Sequence, residues 1–220
     1  NTFTYELKDN TKAENYNITK VEGGLTVTDR DAQYEITVVA NSGSEKYDGN
    51  EKTVSGLVST TFEVEGNTYT VEGLSASGSG TDTGSYDVNV TGTATVWDAQ
   101  RNDVTAQFSV KTKSGTLTIG KRTVTLTSGS AEKVYDGTPL TNDEITVGGD
   151  GFVEGQGAAY DVTGSRTLKG TSKNCFTYEL NEGTKADNYE IQQQYGQLTV
   201  TNRGEDPDHP LYEITVEANS

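Results

Sequence analysis

The chain has 220 residues, of which only 31% are apolar and 23% charged, and it carries a formal net charge of −16. So acidic a chain repels phosphate backbones, which excludes nucleic acid as a partner, and no stretch approaches the ~20 apolar residues a bilayer crossing needs, which excludes membrane insertion. A single Cys and a single His exclude an internal disulfide and a His-based metal site. Leu, Ile, Val and Phe supply about 19% of the residues, on the disordered side of the usual compositional boundary. Twelve Tyr and a strict alternation of apolar residues argue instead for a folded chain with thin, aromatic-rich cores. With neither an initiator Met nor a signal peptide, the chain reads as a segment excised from a longer protein.

In chain order, Phe3, Tyr5 and Leu7 alternate with Thr4 and Glu6, the period-two pattern of a half-buried strand. Thr11–Asn15 has room for one short helical turn, and Leu25-Thr-Val-Thr28 follows as a closing strand. The alternation returns at Tyr34/Ile36/Val38/Ala40 and again at Tyr86/Val88/Val90. Between them, Lys46-Tyr-Asp-Gly49 predicts a tight turn whose Gly takes positive φ while the Tyr ring packs beneath it. Asp98-Ala-Gln-Arg-Asn-Asp103 reads as a hairpin loop leading to a strand over Val104/Ala106/Phe108/Val110. Val124–Thr127, Phe176/Tyr178/Leu180 and Tyr212/Ile214/Val216 complete the strands, and Thr184–Asn188 offers a second short helical turn. Outward positions are often Thr, whose β-branch suits a pleated surface. No window carries a 3.6-residue stripe, so the fold class is all-β.

The chain repeats itself. Asn1-Thr-Phe-Thr-Tyr-Glu-Leu7 returns as Asn174-Cys-Phe-Thr-Tyr-Glu-Leu180, and Thr11-Lys-Ala-Glu-Asn-Tyr16 as Thr184-Lys-Ala-Asp-Asn-Tyr189. Tyr34-Glu-Ile-Thr-Val38 returns as Tyr212-Glu-Ile-Thr-Val216. A shorter period lies inside: Lys46-Tyr-Asp-Gly49 matches Val134-Tyr-Asp-Gly137, and a Gly-x-Leu-Thr strand closes at Val27, Ile119 and Val200. Each unit is then about 80–90 residues, a usual size for a small β-sandwich. The phase divides the chain into residues 1–27, the back end of one module; 29–119 and 121–201, two whole modules; and 203–220, a linker and the first strand of another. Tandem Ig-like or β-grasp-like modules in an elongated array are the expected architecture.

Lys133-Val-Tyr-Asp-Gly-Thr-Pro-Leu140, then Glu154-Gly155, Asn188-Tyr189 and Tyr195-Gly-Gln-Leu-Thr-Val200 resemble the MBG/YDG repeats of bacterial surface proteins. The first whole module departs from that pattern, with Asn50 in place of Thr138, no Pro, and Gln107-Phe108 in place of Asn-Tyr. The resemblance implies β-rich modules strung along a secreted or cell-wall-anchored, adhesin-like protein, commonly Gram-positive, with a role in spacing or adhesion. It supplies no catalytic residue.

The remaining candidates follow from side-chain chemistry. Trp97, with Tyr69 and Tyr160, could form a stacking platform for a host glycan or protein, although a core or rim plug is the simpler reading of Trp97. Surface β-modules sometimes carry a self-formed Lys–Asn isopeptide bond, for which Lys133, Asn188 and the acid Asp136 are the candidates. Ca²⁺ between modules would draw on Asp29 and Asp31 or on Glu205–Asp208, although neither run has the spacing of a recognised loop; otherwise no cofactor is expected. Cys175 corresponds to Thr2 in the other copy, a packing position, and His209 belongs to a solvated linker. The chain is expected to be no enzyme but an extracellular spacing segment whose partners are its neighbouring modules. Residues 212–218, an opening strand without its module, are expected to exchange head to tail onto residues 1–27 of another copy.

Overall fold

A computed structural model describes residues 1–28, 32–204 and 207–217. The described residues are all-β, with strands joined by turns and three short 3-10 turns. The chain divides into two compact units. The first comprises Asn1–Thr37, Thr60–Gly73 and Thr93–Lys111, and the second Val38–Ser59, Leu74–Gly92 and Thr112–Ser220. Repeat boundaries are not unit boundaries, because the second unit takes residues from both sides of Gly120.

Strands β1 (Tyr34–Val39), β2 (Gly43–Lys46), β3 (Lys52–Ser55), β4 (Thr61–Val64), β5 (Asn67–Gly80) and β6 (Gly84–Trp97) come first, followed by β7 (Phe108–Lys113) and β8 (Gly115–Gly120). β1 pairs β7, and a larger sheet runs β2-β8-β6-β5-β3 with β4 also on β5. The two long strands are interrupted at Gly73 (φ +82°) and Gly92 (φ +106°), and a Cβ at Gly73 would sit 2.2 Å from the Thr93 carbonyl oxygen. Only glycine admits that close backbone approach, and the unit boundary falls at these two residues.

The first unit buries Ile36, Val71, Val96 and Phe108, with the Tyr34 and Tyr69 rings 5.6 and 4.8 Å from Phe108. The predicted strand from Val104 begins only at Phe108. Thr105–Gln107 is a 3-10 turn, held by the Thr105 hydroxyl donating to Asp103 and by Gln107 N–H donating to the Val104 carbonyl.

The second unit continues through β9 (Arg122–Ser128), β10 (Ala131–Val134), β11 (Ile145–Gly149), β12 (Ala158–Val162) and β13 (Gly170–Lys173). It ends with β14 (Phe176–Leu180), β15 (Tyr189–Gln194) and β16 (Gln197–Thr201). β9 lies between antiparallel β11 and parallel β15, β16 lies between parallel β10 and antiparallel β13, and β12 pairs β14. The repeat seen in the sequence recurs in the pairing. Gly43 stands opposite Leu117 in parallel β2–β8 as Ala131 stands opposite Leu198 in parallel β10–β16. Both registers place the closing leucine, fully buried, across from the residue four before the turn tyrosine.

Two expected strands are absent. Residues 3–7 and 212–217 carry the same residues as β14 and β1, yet neither is a strand, and their apolar side chains are exposed. Alternation supplies a face but not a hydrogen-bonding partner. β14 has β12 beside it, and β1 has β7. What residues 1–28 do retain is the local geometry of their copy. The turn Ala13–Asn15 has flanking dihedrals of −90°/119° at Lys12, against −88°/120° at Lys185 before Ala186–Asn188. Asn10 takes φ +70° where the copy has Gly183 at +82°. The Asn1 amine donates to the Gly23 carbonyl at 2.7 Å, as Asn174 N–H donates to Gly196 at 2.9 Å.

Candidate functional site

The densest constellation of polar and aromatic side chains lies in the second unit, where one repeat passes into the next at Gly120-Lys121. Both Tyr-Asp-Gly turns are built alike. Asp48 Oδ1 accepts Asn50 N–H at 3.0 Å and Asp136 Oδ1 accepts Thr138 N–H at 2.9 Å, with Gly49 at φ +84° and Gly137 at φ +82°. A cation neutralises each aspartate, from opposite directions along the chain: Lys52 after Asp48, and Lys133 before Asp136. The Lys133 bond, then the Thr138 N–H and hydroxyl, hold Asp136 far below the usual carboxylate range.

The turn orients Tyr47. Its N–H donates to Gly120 at 2.9 Å, and its ring, 3% exposed, meets Tyr189 edge-on at 5.6 Å. Gln156 links the two phenols, its Nε2 donating to the Tyr47 oxygen at 2.8 Å while its Oε1 accepts from the Tyr189 hydroxyl. The Tyr189 oxygen in turn accepts Val153 N–H at 3.1 Å, and Phe152 packs on its ring at 5.1 Å. Burial pushes the Tyr189 phenol above its ordinary pKa. Beneath these rings one apolar cluster contains Ala76, Val88, Leu117 and Ile119 from before Gly120 and Val124, Leu126 and Phe176 from after it.

Two polar clasps flank the rings. Lys46 Nζ donates to Asp150 at 2.7 Å, and Thr123 N–H to the same oxygen at 3.1 Å; the Lys46 bond first, then the Thr123 N–H, keep Asp150 ionised. At the β5–β6 hairpin turn, Asp82 accepts Lys185 Nζ at 2.6 Å and Asn188 Nδ2 at 2.8 Å, which lower its pKa in that order. Thr83 N–H donates to Asn188 Oδ1 at 2.8 Å, and its hydroxyl to the Asp187 carbonyl at 2.8 Å. Asn188 is thus fully buried and satisfied at both ends of its amide. At neutral pH these carboxylates are ionised and paired and the phenols keep their protons. The arrangement holds two repeats in one geometry and has no group poised to move a proton.

The residues singled out in the sequence fall as follows. Lys133 and Asp136 meet at 2.8 Å, and Lys133 also donates to Thr138 and Pro139. Asn188 is gripped instead by Asp82 and Thr83, so the structure joins two of the three isopeptide candidates and commits the third elsewhere. Trp97, half-buried in the first unit, carries the Arg101 guanidinium 4.8 Å from its ring centroid, and Arg101 grips both oxygens of Glu72. Tyr69, in the same unit, is packed on Phe108. Tyr160 is in the second unit, opposite Tyr178 across β12–β14 beside a 210 Å³ cavity, its phenol pKa raised by burial. Asp29, Asp31, Glu205 and Asp206 lie outside the described residues; among those described, no group of three His, Cys, Asp or Glu is placed to hold a metal ion. Cys175 is exposed on β13–β14 connecting chain.

Sequence reading flagged Asn188-Tyr189 and the Tyr-Asp-Gly turn but missed their partners Asp82, Thr83, Asp150 and Gln156. Only the turn-forming Thr81-Asp-Thr-Gly84 marked the hairpin, and nothing local ties it to a residue some hundred positions on. No family model, curated protein or solved structure matches the chain.

Proposed function

We propose that this chain is a structural spacer, a tandem run of small β-sandwich modules in an elongated array that holds an adhesive region away from a bacterial surface. The setting is extracellular, in a secreted or cell-wall-anchored protein of the MBG/YDG type, and the immediate partners are the neighbouring modules. The observation that carries this reading is the apolar cluster continuous across Gly120, sealed by Tyr47, Gln156 and Tyr189. A spacer must resist bending where its units meet. A joint with a shared core and buried, fully bonded aromatics resists it; a Gly/Ser tether does not. The high negative charge adds self-repulsion that favours extension.

Direct glycan binding has less support. The Trp97 ring already carries an internal cation, Tyr69 is packed on Phe108, and Tyr160 belongs to the other compact unit. Small-angle scattering on the monomer tests the spacer. A compact globule of this length has a radius of gyration of about 17 Å. A spacer gives a clearly larger value, and a result near the compact one overturns the proposal.

A further inference from the structure

The joint inside the chain says what the two strandless ends would fit. β9 opens the second repeat and lies parallel to β15, with Arg122 opposite Tyr189, Val124 opposite Ile191 and Leu126 opposite Gln193. By the repeat, Tyr212, Ile214 and Val216 occupy the positions of Arg122, Val124 and Leu126, and Tyr16, Ile18 and Lys20 those of Tyr189, Ile191 and Gln193. The core residues of the internal pair, Val124 and Leu126, are fully buried. Their counterparts are bare: Ile214 is 84% exposed, Val216 88%, and Tyr16 61%. Residues 1–28 and 207–217 belong to different compact units, and neither forms a strand.

A second feature of the joint recurs beside the C-terminal segment. Tyr47 meets Tyr189, whereas Tyr135, the corresponding turn tyrosine, borders a 680 Å³ cavity lined also by Leu168, Arg203, Leu211 and Tyr212. That cavity stands where the next repeat's Asn-Tyr turn would enter. Residues 13–16 already hold the backbone conformation of the docked 186–189, so the segment is shaped for the site before it binds.

We infer that the chain associates head to tail with a second copy. Residues 212–217 add in parallel beside residues 16–21 of that copy, in the β9–β15 register, and Tyr16 of the copy enters the cavity beside Tyr135. The Arg203 guanidinium, now 4.2 Å from the Tyr212 ring centroid, gives up part of that contact when the strand forms. The contact is heterologous, so it propagates into open chains rather than closing as a dimer. Carboxylates at Glu213 and Glu217, on a molecule of net charge −16, oppose the approach, so added salt strengthens association. The inference rests on the repeat architecture. Its failure leaves the spacer reading standing, because that reading is tested on the monomer.

Register-specific crosslinking of the full chain provides the test, in a Cys175→Ser background that removes the native thiol. Paired strands stand about 4.8 Å apart, within disulfide reach. Ile18→Cys with Ile214→Cys should oxidise to a ladder of covalent oligomers. Ile18→Cys with Thr215→Cys, whose side chain leaves the opposite face of the pleat, should give at least tenfold less. Sedimentation of the unaltered chain should show mass rising with concentration and with salt, and Val216→Lys should weaken the association at least tenfold. Equal crosslinking by both pairs, an intrachain-crosslinked monomer, or a concentration-independent monomer would each overturn the inference.

Discussion

At the level of single residues, stability rests on a few polar side chains that bridge distant segments. Gln156 is the clearest. Its amide serves two phenols at once, and no hydrophobic residue of that size can do so. Gln156→Ala leaves both hydroxyls short of a partner in a half-buried site, a loss of about 1–3 kcal/mol read from urea unfolding. A change below about 0.5 kcal/mol, the usual size of a surface effect, would mean that water replaces the amide and that the bridge is incidental. Asp136 acts differently, through pH. Its folded pKa is depressed by Lys133 first and by Thr138 next, so the folded state resists protonation while the unfolded carboxyl accepts a proton near pH ~3.9. The stability it contributes is therefore complete above that unfolded pKa and is lost as pH falls toward the folded one. The urea midpoint of the native chain should drop more steeply below pH ~4 than that of Asp136→Asn; parallel profiles would remove Asp136 from the account.

At the level of elements, the two Tyr-Asp-Gly turns share one backbone but not one environment, which separates conformational strain from packing. Both glycines hold positive φ, and a side chain in that region costs about 1–2 kcal/mol. Gly137 faces open space, so Gly137→Ala should cost about that strain alone. A Cβ at Gly49 would also lie 2.8 Å from Val153 Cγ1, a stiff β-branched side chain, so Gly49→Ala should cost more, and Val153→Ala should recover part of the excess. Equal losses in calorimetry would mean that Val153 yields freely. The same comparison explains what could be read from sequence. Tyr-Asp-Gly encodes its turn through the Asp side chain and the Gly backbone, and Ala-Asp-Asn its 3-10 turn, so both appear wherever the residues do, even at Ala13–Asn15 with nothing packed on it. Strands are not encoded so locally. Phe3–Leu7 and Phe176–Leu180 read alike, yet only the second lies beside a neighbour such as β12. The Asp82–Asn188 clasp was illegible for a related reason. It joins a hairpin turn to a 3-10 turn of another repeat, and neither sequence carries a mark of the other.

At the level of the molecule, the decisive question is whether repeats joined at Gly120 behave as beads or as one body. In many tandem arrays each unit buries its own core, and neighbours add only an interface term. Here the cluster around Tyr47 and Tyr189 takes fully buried side chains from both repeats, among them Leu117 and Leu126. Removing either should then weaken the same cooperative transition. Leu117→Ala and Leu126→Ala each delete most of a buried leucine, a loss of about 2–5 kcal/mol. Because the cluster is shared, both variants should shift one calorimetric transition, and hydrogen exchange should accelerate on both sides of Gly120 in each. The double variant should cost less than the sum of the two, since the second truncation relaxes into a core the first has loosened. Bead-like repeats would show the opposite pattern: two transitions, each answering to only one leucine, with exchange protection lost on one side alone. That result would also weaken the spacer, because a joint whose two sides unfold independently transmits little bending resistance between them.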